Sequence, residues 1–173
     1  NSAGGIQFGA SISSDGRMVF STVSPVLNIW SVPLRSSDGT ASGPLEPVTS
    51  DPMGKLDVSV SADGSKLAWS SYSMQQIEIR VRETATGREE SIICSNNTIA
   101  VFPRLSPDGS RLAYSDIVDG KRTNFLAAGG TTPQPFAANG LILGFFSKPG
   151  EILVAAGNQL ARLTAAGGQR GLV

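Results

Sequence analysis

The chain has 173 residues, with 14 basic residues, 14 acidic residues and no histidine. The balanced charge leaves no net field to attract nucleic acid or an anionic membrane. The missing histidine removes the residue that most often acts as a general base or metal ligand, and with it the Ser-His-Asp triad. We therefore predict neither an enzyme nor a nucleic-acid-binding protein, and no cofactor.

The first predicted repeat contains four short strands joined by turns. Its apolar and β-branched segments place the strands at 6–12, 17–23, 27–34 and 45–49. A loop rich in Ser, Gly and Pro, residues 36–44, joins the last two strands. Such loops are where repeat proteins vary most, because the strands around them are rigid.

The second repeat shows the strand pattern most clearly. Residues 56–60 alternate apolar and polar side chains with a period of two, which is typical of a half-buried strand. The turn at 61–64 leads into a second strand, and the alternating segment 77–82 makes a third. The four predicted strands are 56–60, 66–70, 77–82 and 90–94.

The third and fourth repeats fit the same template. The third is predicted to contain strands at 101–105, 111–115, 124–128 and 134–137, and the fourth at 141–146, 151–155, 159–163 and 169–173. No segment has the 3.6-residue periodicity of a capped helix, so we expect almost no helix. No apolar stretch reaches the roughly 18 residues of a transmembrane helix, so we predict no membrane insertion.

A Ser-x-Asp-Gly turn follows the first strand in three of these repeats. The three aspartates lie about 45 to 48 residues apart, a period typical of β-propeller blades. Each aspartate is expected to accept hydrogen bonds from nearby backbone amides, and each glycine to adopt a positive φ. The predicted turn residues are Asp15, Gly16, Asp63, Gly64, Asp108 and Gly109. The fold prediction is an all-β propeller segment of four four-stranded antiparallel blades, at about 1–50, 51–97, 98–138 and 139–173.

A family resemblance follows from these residues. Residues 106–115 (Ser-Pro-Asp-Gly-Ser-Arg-Leu-Ala-Tyr-Ser) resemble the core motif of the TolB-type, WD-repeat-like propeller family, and residues 28–34 with 47–49 resemble its third and fourth strands. Residues 147–150 (Ser-Lys-Pro-Gly) depart from the motif because the aspartate is replaced. The resemblance implies a propeller attached to a peptidase, kinase or DNA-binding regulator, or a periplasmic partner-binding protein. It favours a periplasmic or other extracytoplasmic location.

The resemblance also bears on the number of blades. Members of that family usually close a ring of six to eight blades, so we expect the four predicted here to be part of a larger ring. The chain starts at Asn1 and is expected to be a piece of a larger bacterial protein. A second copy completing the ring as a homodimer is one possibility, and a closed four-bladed monomer is the alternative.

Two charged residues differ from the residues at the equivalent positions of the other repeats, on the strands that line the axis of a propeller. Asp57 lies six positions before the second turn aspartate, and Arg104 lies four positions before the third. One interpretation is an exposed ion pair between neighbouring blades, which contributes little to stability. The other is a polar contact for a ligand or peptide at the axis.

The segment 116–122 carries two carboxylates and two cations, Asp116, Asp119, Lys121 and Arg122. Asp119 and Gly120 form a tight-turn pair, so the segment is first predicted to be a solvated hairpin. It shows too few oxygen ligands for calcium. These four residues are the second candidate binding group.

The large aromatic residues are predicted to pack in the core. Trp30, Trp69 and Tyr114 fall where a blade needs bulky apolar groups against its neighbour. The function predicted from the sequence is a non-catalytic module for protein or peptide recognition, sensing or docking. The alternatives are an accessory propeller that gates substrate access to a peptidase, and a structural oligomerisation module.

Overall fold

The computed structural model describes residues 6–12, 18–23, 27–35, 37–72, 77–92, 99–118, 120–129, 131–136, 140–146, 150–164 and 169–172. Every helix or strand in these ranges is a β-strand, so the predicted all-β character is confirmed there. The chain divides into an N-terminal unit, Asn1–Gly54, and a C-terminal unit, Lys55–Val173.

The N-terminal unit contains two small antiparallel sheets. Strand β1 (Ile6–Ile12) pairs with β2 (Met18–Val23), and the register shifts between Phe8 and Ala10. Strand β3 (Trp30–Ser31) pairs with β4 (Glu46–Pro47).

Strands β3 and β4 are much shorter than the predicted strands at 27–34 and 45–49. Pro33 and Pro47 have no amide hydrogen to donate to a neighbouring strand, which limits pairing on both sides. The prediction that Trp30 packs in a core is wrong, because its side chain is 53% exposed. In this hairpin the ladder is too short to build a continuous buried face.

From Gly54 onward the described residues form twelve strands, close to those predicted. They are β5 (Gly54–Val60), β6 (Lys66–Tyr72), β7 (Ile77–Glu83), β8 (Glu89–Ile92), β9 (Ile99–Leu105), β10 (Arg111–Val118), β11 (Lys121–Ala128), β12 (Gln134–Phe136), β13 (Leu141–Phe145), β14 (Glu151–Ala156), β15 (Gln159–Thr164) and β16 (Gln169–Leu172). We call β5–β8 the second repeat, β9–β12 the third and β13–β16 the fourth.

In each repeat the strands neighbour one another in chain order. The second and third repeats are joined by one parallel bridge between Ile77 and Ile99, and the fourth forms a separate sheet. The first strand of the third and fourth repeats carries a register shift, opposite Tyr114 in β9 and beside Leu143 in β13. Such an extra residue increases the local twist of the strand.

Two hydrophobic cores lie between successive repeats. The first core joins the second and third repeats through Ala68, Ile79, Ala100, Leu105, Leu112, Tyr114 and Ala127. The second core joins the third and fourth repeats through Ala113, Phe136, Ile142, Ile152, Val154, Ala161 and Leu163. Alternate residues of β10 therefore face opposite neighbours, since side chains alternate across a strand.

Trp69 of the second repeat and Tyr114 of the third are buried as predicted. Trp69 is 1% exposed and Tyr114 is 3% exposed. The Tyr114 ring stacks on Phe125, with ring centres 5.6 Å apart, and the Arg82 guanidinium lies 5.4 Å from the centre of the Trp69 ring. Burial of side chains this large contributes most of the stability of a small sheet interface.

Candidate functional site

The turn aspartates of the second and third repeats form dense local hydrogen-bond sets. The Asp63 carboxylate accepts from the Ser61 hydroxyl at 2.7 Å, the Ser65 amide at 3.0 Å and the Ser65 hydroxyl at 2.8 Å. Gly64 has a φ of 71°, which a residue with a Cβ rarely adopts. The hydrogen bond from the Ser61 hydroxyl, followed by those from Ser65, lowers the pKa of Asp63 to about 2.

Asp108 repeats this arrangement. Its carboxylate accepts from the Ser106 hydroxyl at 2.6 Å, the Ser110 amide at 3.1 Å and the Ser110 hydroxyl at 2.9 Å, and Gly109 has a φ of 65°. The hydrogen bond from the Ser106 hydroxyl, followed by those from Ser110, lowers the pKa of Asp108 to about 2. Both carboxylates therefore already accept hydrogen bonds within their own turns. This is expected of residues that stabilise a turn and not of residues that bind a ligand. Asp15 and Gly16 lie outside the described residues.

The two turns are joined to each other. The amide of Ala62 donates to the carbonyl of Pro107 at 2.8 Å, and both residues occupy the variable position of the Ser-x-Asp-Gly sequence. Nearby, the amide of Leu105 donates to the Ser59 hydroxyl at 3.0 Å. The recurring turn therefore helps to dock the third repeat on the second.

Arg104 makes an equivalent connection to the fourth repeat. Its Nε donates to the carbonyl of Leu143 at 3.1 Å and a terminal nitrogen donates to the carbonyl of Pro103 at 2.8 Å. Ser59 and Arg104 hold the same position, four residues before their turn aspartates, and both contact the backbone of the next repeat. The sequence showed that this position is polar but not that its partner is a neighbouring backbone.

Asp57 has an unusual backbone. It is half-buried with a φ of 54°, and Phe102, at the equivalent position of the third repeat, has a φ of 57°. Non-glycine residues seldom adopt this left-handed region, and such strain often accompanies functional sites. No ion pair joins Asp57 to Arg104 in the described part of the chain.

The candidate residues of the β10–β11 hairpin lie in different environments. Val118 pairs with Lys121, so the hairpin closes between these two residues, as the sequence predicted. Asp116 is 7% exposed, whereas Lys121 is exposed and Arg122 is half-buried. The structure therefore buries the Asp116 carboxylate and leaves Lys121 in solvent. Asp119 lies outside the described residues.

Arg122 rests on an aromatic ring. Its guanidinium lies 5.4 Å from the centre of the Phe102 ring, within the range of a cation–π contact. Beside it is an open depression of about 720 Å³, lined by Ile117, Gly120, Lys121, Arg122, Thr123 and Gly140. Neither Lys121 nor Arg122 forms an ion pair with an acidic side chain of the described ranges. We call this feature the cationic depression.

Two other kinds of feature, a metal site and a membrane-spanning helix, are not found in the described ranges. In these ranges no three His, Cys, Asp or Glu side chains come close enough together to hold a metal ion. None of the described segments forms a helix with the length and apolar character needed to cross a membrane.

The fold is similar to that of several solved β-propeller proteins. TolB from Acinetobacter baumannii matches with a TM-score of 0.61 and 17% identity, over 75% of this chain and 35% of TolB. The nidogen/laminin complex matches with a TM-score of 0.66 and 14% identity, over 85% of this chain and 58% of the matched chain. The propeller domain of the trilobed protease from Pyrococcus furiosus matches with a TM-score of 0.54 and 15% identity, over 70% of this chain and 42% of that domain.

These likenesses concern the fold. They confirm the predicted TolB-type β-propeller architecture, and the chain spans less than two thirds of each matched chain. No protein-family model matches the sequence. No curated protein matches it either.

Proposed function

We propose that this chain is a non-catalytic recognition module that binds an acidic segment of a partner protein at the cationic depression. The observation that carries the proposal is the pair of cations, Lys121 and Arg122, on the wall of an open concave surface without an acidic partner among the described residues. Arg122 lies over the Phe102 ring. Such a contact restricts the guanidinium and presents it to a ligand at a small entropic cost.

The fold supports a binding role. One of the similar structures is a complex of nidogen with laminin, so a similar fold is found in a complex between two proteins. Rigid antiparallel sheets hold their turns in place, and the turns are free to vary in sequence. A propeller of a peptidase is also among the similar folds, and an accessory gating role remains the alternative proposal.

The other candidate residues enter the proposal differently. Arg104 already donates to two carbonyls, so we assign it to the docking of the fourth repeat rather than to ligand contact. The Asp57 carboxylate makes no hydrogen bond or ion pair with another described residue, and Asp57 stays a candidate polar contact. Asp116 is buried, so its carboxylate is proposed to support the hairpin from within. Four blades at about the predicted bounds, and a homodimer that completes a ring, likewise remain proposals.

Fluorescence polarisation with labelled decapeptides tests the recognition site. A peptide of alternating Glu and Leu is expected to bind the 173-residue chain more tightly than one of alternating Lys and Leu. The Lys121→Glu/Arg122→Glu double variant is expected to lose at least about tenfold in affinity for the acidic peptide, because two attractive charges become repulsive.

The control is a double variant with the same change in net charge, Arg35→Glu/Arg88→Glu, at two exposed cations outside the depression. It is expected to bind the acidic peptide within about threefold of wild type, since neither arginine lines the depression. Equal losses in both double variants would show a non-specific charge effect and would overturn the proposal.

A further inference from the structure

A second cavity lies between the second and third repeats, apart from the cationic depression. Its volume is about 350 Å³, at the small end of the range of ligand pockets. The floor is formed by Val81 and Ile92 of the second repeat and by Leu105, Leu112 and Ala127 of the third. We call it the inter-repeat cleft. Its floor is continuous with the first core, so a ligand there meets apolar side chains from both repeats.

One edge of the cleft is basic. Lys66 and Arg111 both line it, and each is the third residue after a turn aspartate. The stem of Lys66 runs across Gly109, because a Cβ on that glycine would lie 3.3 Å from Lys66 Cδ and 3.6 Å from Cγ. The repeat therefore brings two equivalent cations to one opening, one from each side of the interface.

Glu83 lies opposite Lys66 in the β6–β7 ladder, and its carboxylate accepts a hydrogen bond from the Thr86 hydroxyl. Neither Lys66 nor Arg111 forms an ion pair with an acidic side chain in the described ranges. The one acidic residue that lines the cleft, Glu90, is paired with Arg88 on the solvent side. An anionic group at the opening is thus complementary in charge, and an apolar group is complementary to the floor.

We propose that the inter-repeat cleft binds a small aliphatic carboxylate. The alkyl chain lies on the floor of Val81, Ile92 and Leu112, and the carboxylate lies at the edge with Lys66 and Arg111. The small volume favours a single small molecule over a folded partner segment. This site is independent of the proposed recognition of an acidic peptide, since the residues that carry the two sites are different.

Titration of the full chain with octanoate, followed by amide NMR, tests the proposal. Octanoate is expected to shift the amides of Gly109, Arg111 and Ala128, which line the cleft, and to leave those of Lys121 and Thr123 unchanged. Octan-1-ol has the same alkyl chain without the charge, and we expect it to bind at least about tenfold more weakly. The Lys66→Gln/Arg111→Gln double variant is expected to weaken octanoate about tenfold and to remove its advantage over octan-1-ol.

The Arg88→Gln variant is the control for a charge loss near the cleft. It leaves Glu90 without its partner, so it is expected to weaken octanoate, but by less than about threefold because both side chains are exposed to solvent. The amide dispersion of each variant reports that it has folded. No octanoate shift at the cleft, or shifts that persist unchanged in the double variant, would overturn the proposal. Equal binding of octanoate and octan-1-ol by wild type would overturn the role of the two cations.

Discussion

The two interfaces of the C-terminal unit achieve docking in different ways. Between the second and third repeats, both sides carry the Ser-x-Asp-Gly turn, the turns are hydrogen-bonded through Ala62 and Pro107, and a cleft remains beside the core. Between the third and fourth repeats, the turn aspartate is absent on one side, and Ile142, Ile152 and Val154 are completely buried. Both interfaces contain an aliphatic core. The recurring turn adds a hydrogen bond where both repeats carry it, whereas the third and fourth repeats are joined by the contacts of Arg104 and Asn124 with the backbone.

The largest expected effect is at the aliphatic interface. Ile152→Ala removes a side chain that is 0% exposed, and we expect a loss of about 2–5 kcal/mol in the free energy of unfolding. Ile92→Ala makes the same change on the half-buried wall of the cleft, where less apolar surface is removed from water, and we expect a loss of about 1 kcal/mol. Urea denaturation measures both. Equal losses would show that the wall of the cleft is packed as tightly as the second core.

A second prediction concerns a buried polar connection at the same interface. Asn124 is 1% exposed, accepts from the Ser115 hydroxyl at 2.7 Å and donates to the carbonyl of Gly140 at 3.1 Å. Asn124→Ala leaves these groups without that partner, and we expect a loss of about 1–3 kcal/mol.

A double-mutant cycle with Ser115→Ala isolates the side-chain part of this connection. The double variant Ser115→Ala/Asn124→Ala is expected to lose less than the sum of the single losses, because the two residues share a hydrogen bond. Strict additivity in urea denaturation would show that the two side chains act independently.

The smallest expected effect is at the exposed turns. The folded-state pKa of Asp63 and of Asp108 is lowered to about 2 from an ordinary value of 3.8, so each carboxylate stabilises the fold above about pH 4, and this contribution disappears as the pH falls through about 2. The Asp63→Ala/Asp108→Ala variant is expected to melt slightly below wild type at pH 6. The difference should shrink as the pH approaches 2. A difference that does not depend on pH would assign the effect to shape rather than to charge.

Much of the fold of the C-terminal unit could be predicted from the sequence. Alternation in segments such as 77–82 predicts strands directly, and the Ser-x-Asp-Gly turn at a regular period identifies where they reverse. The prediction was less accurate for 27–34, because proline limits backbone pairing there whatever the side-chain pattern. Trp30, in the same segment, is exposed and not buried as predicted.

The candidate site was harder to predict than the strands. Arg104 is recognisable as a polar residue that breaks the repeat, but its contact is the carbonyl of Leu143, and backbone groups carry no sequence signal. Asp116 and Arg122 are only six positions apart, yet the hairpin buries one and leaves the other half-exposed. The inter-repeat cleft draws its lining from segments between 66 and 133, so it exists only once two repeats are docked.

The alternating faces of β10 are the point on which this account depends. Methyl NMR with assigned Ile, Leu and Ala residues measures them directly. We predict cross-peaks from Leu112 to Ala68 or Ile79 of the second repeat, and from Ala113 to Ile142 or Ile152 of the fourth. Cross-peaks from Leu112 to Ile152 would mean that the register of β10 is shifted by one residue, which exchanges its two faces. That result would contradict the packing described at both interfaces.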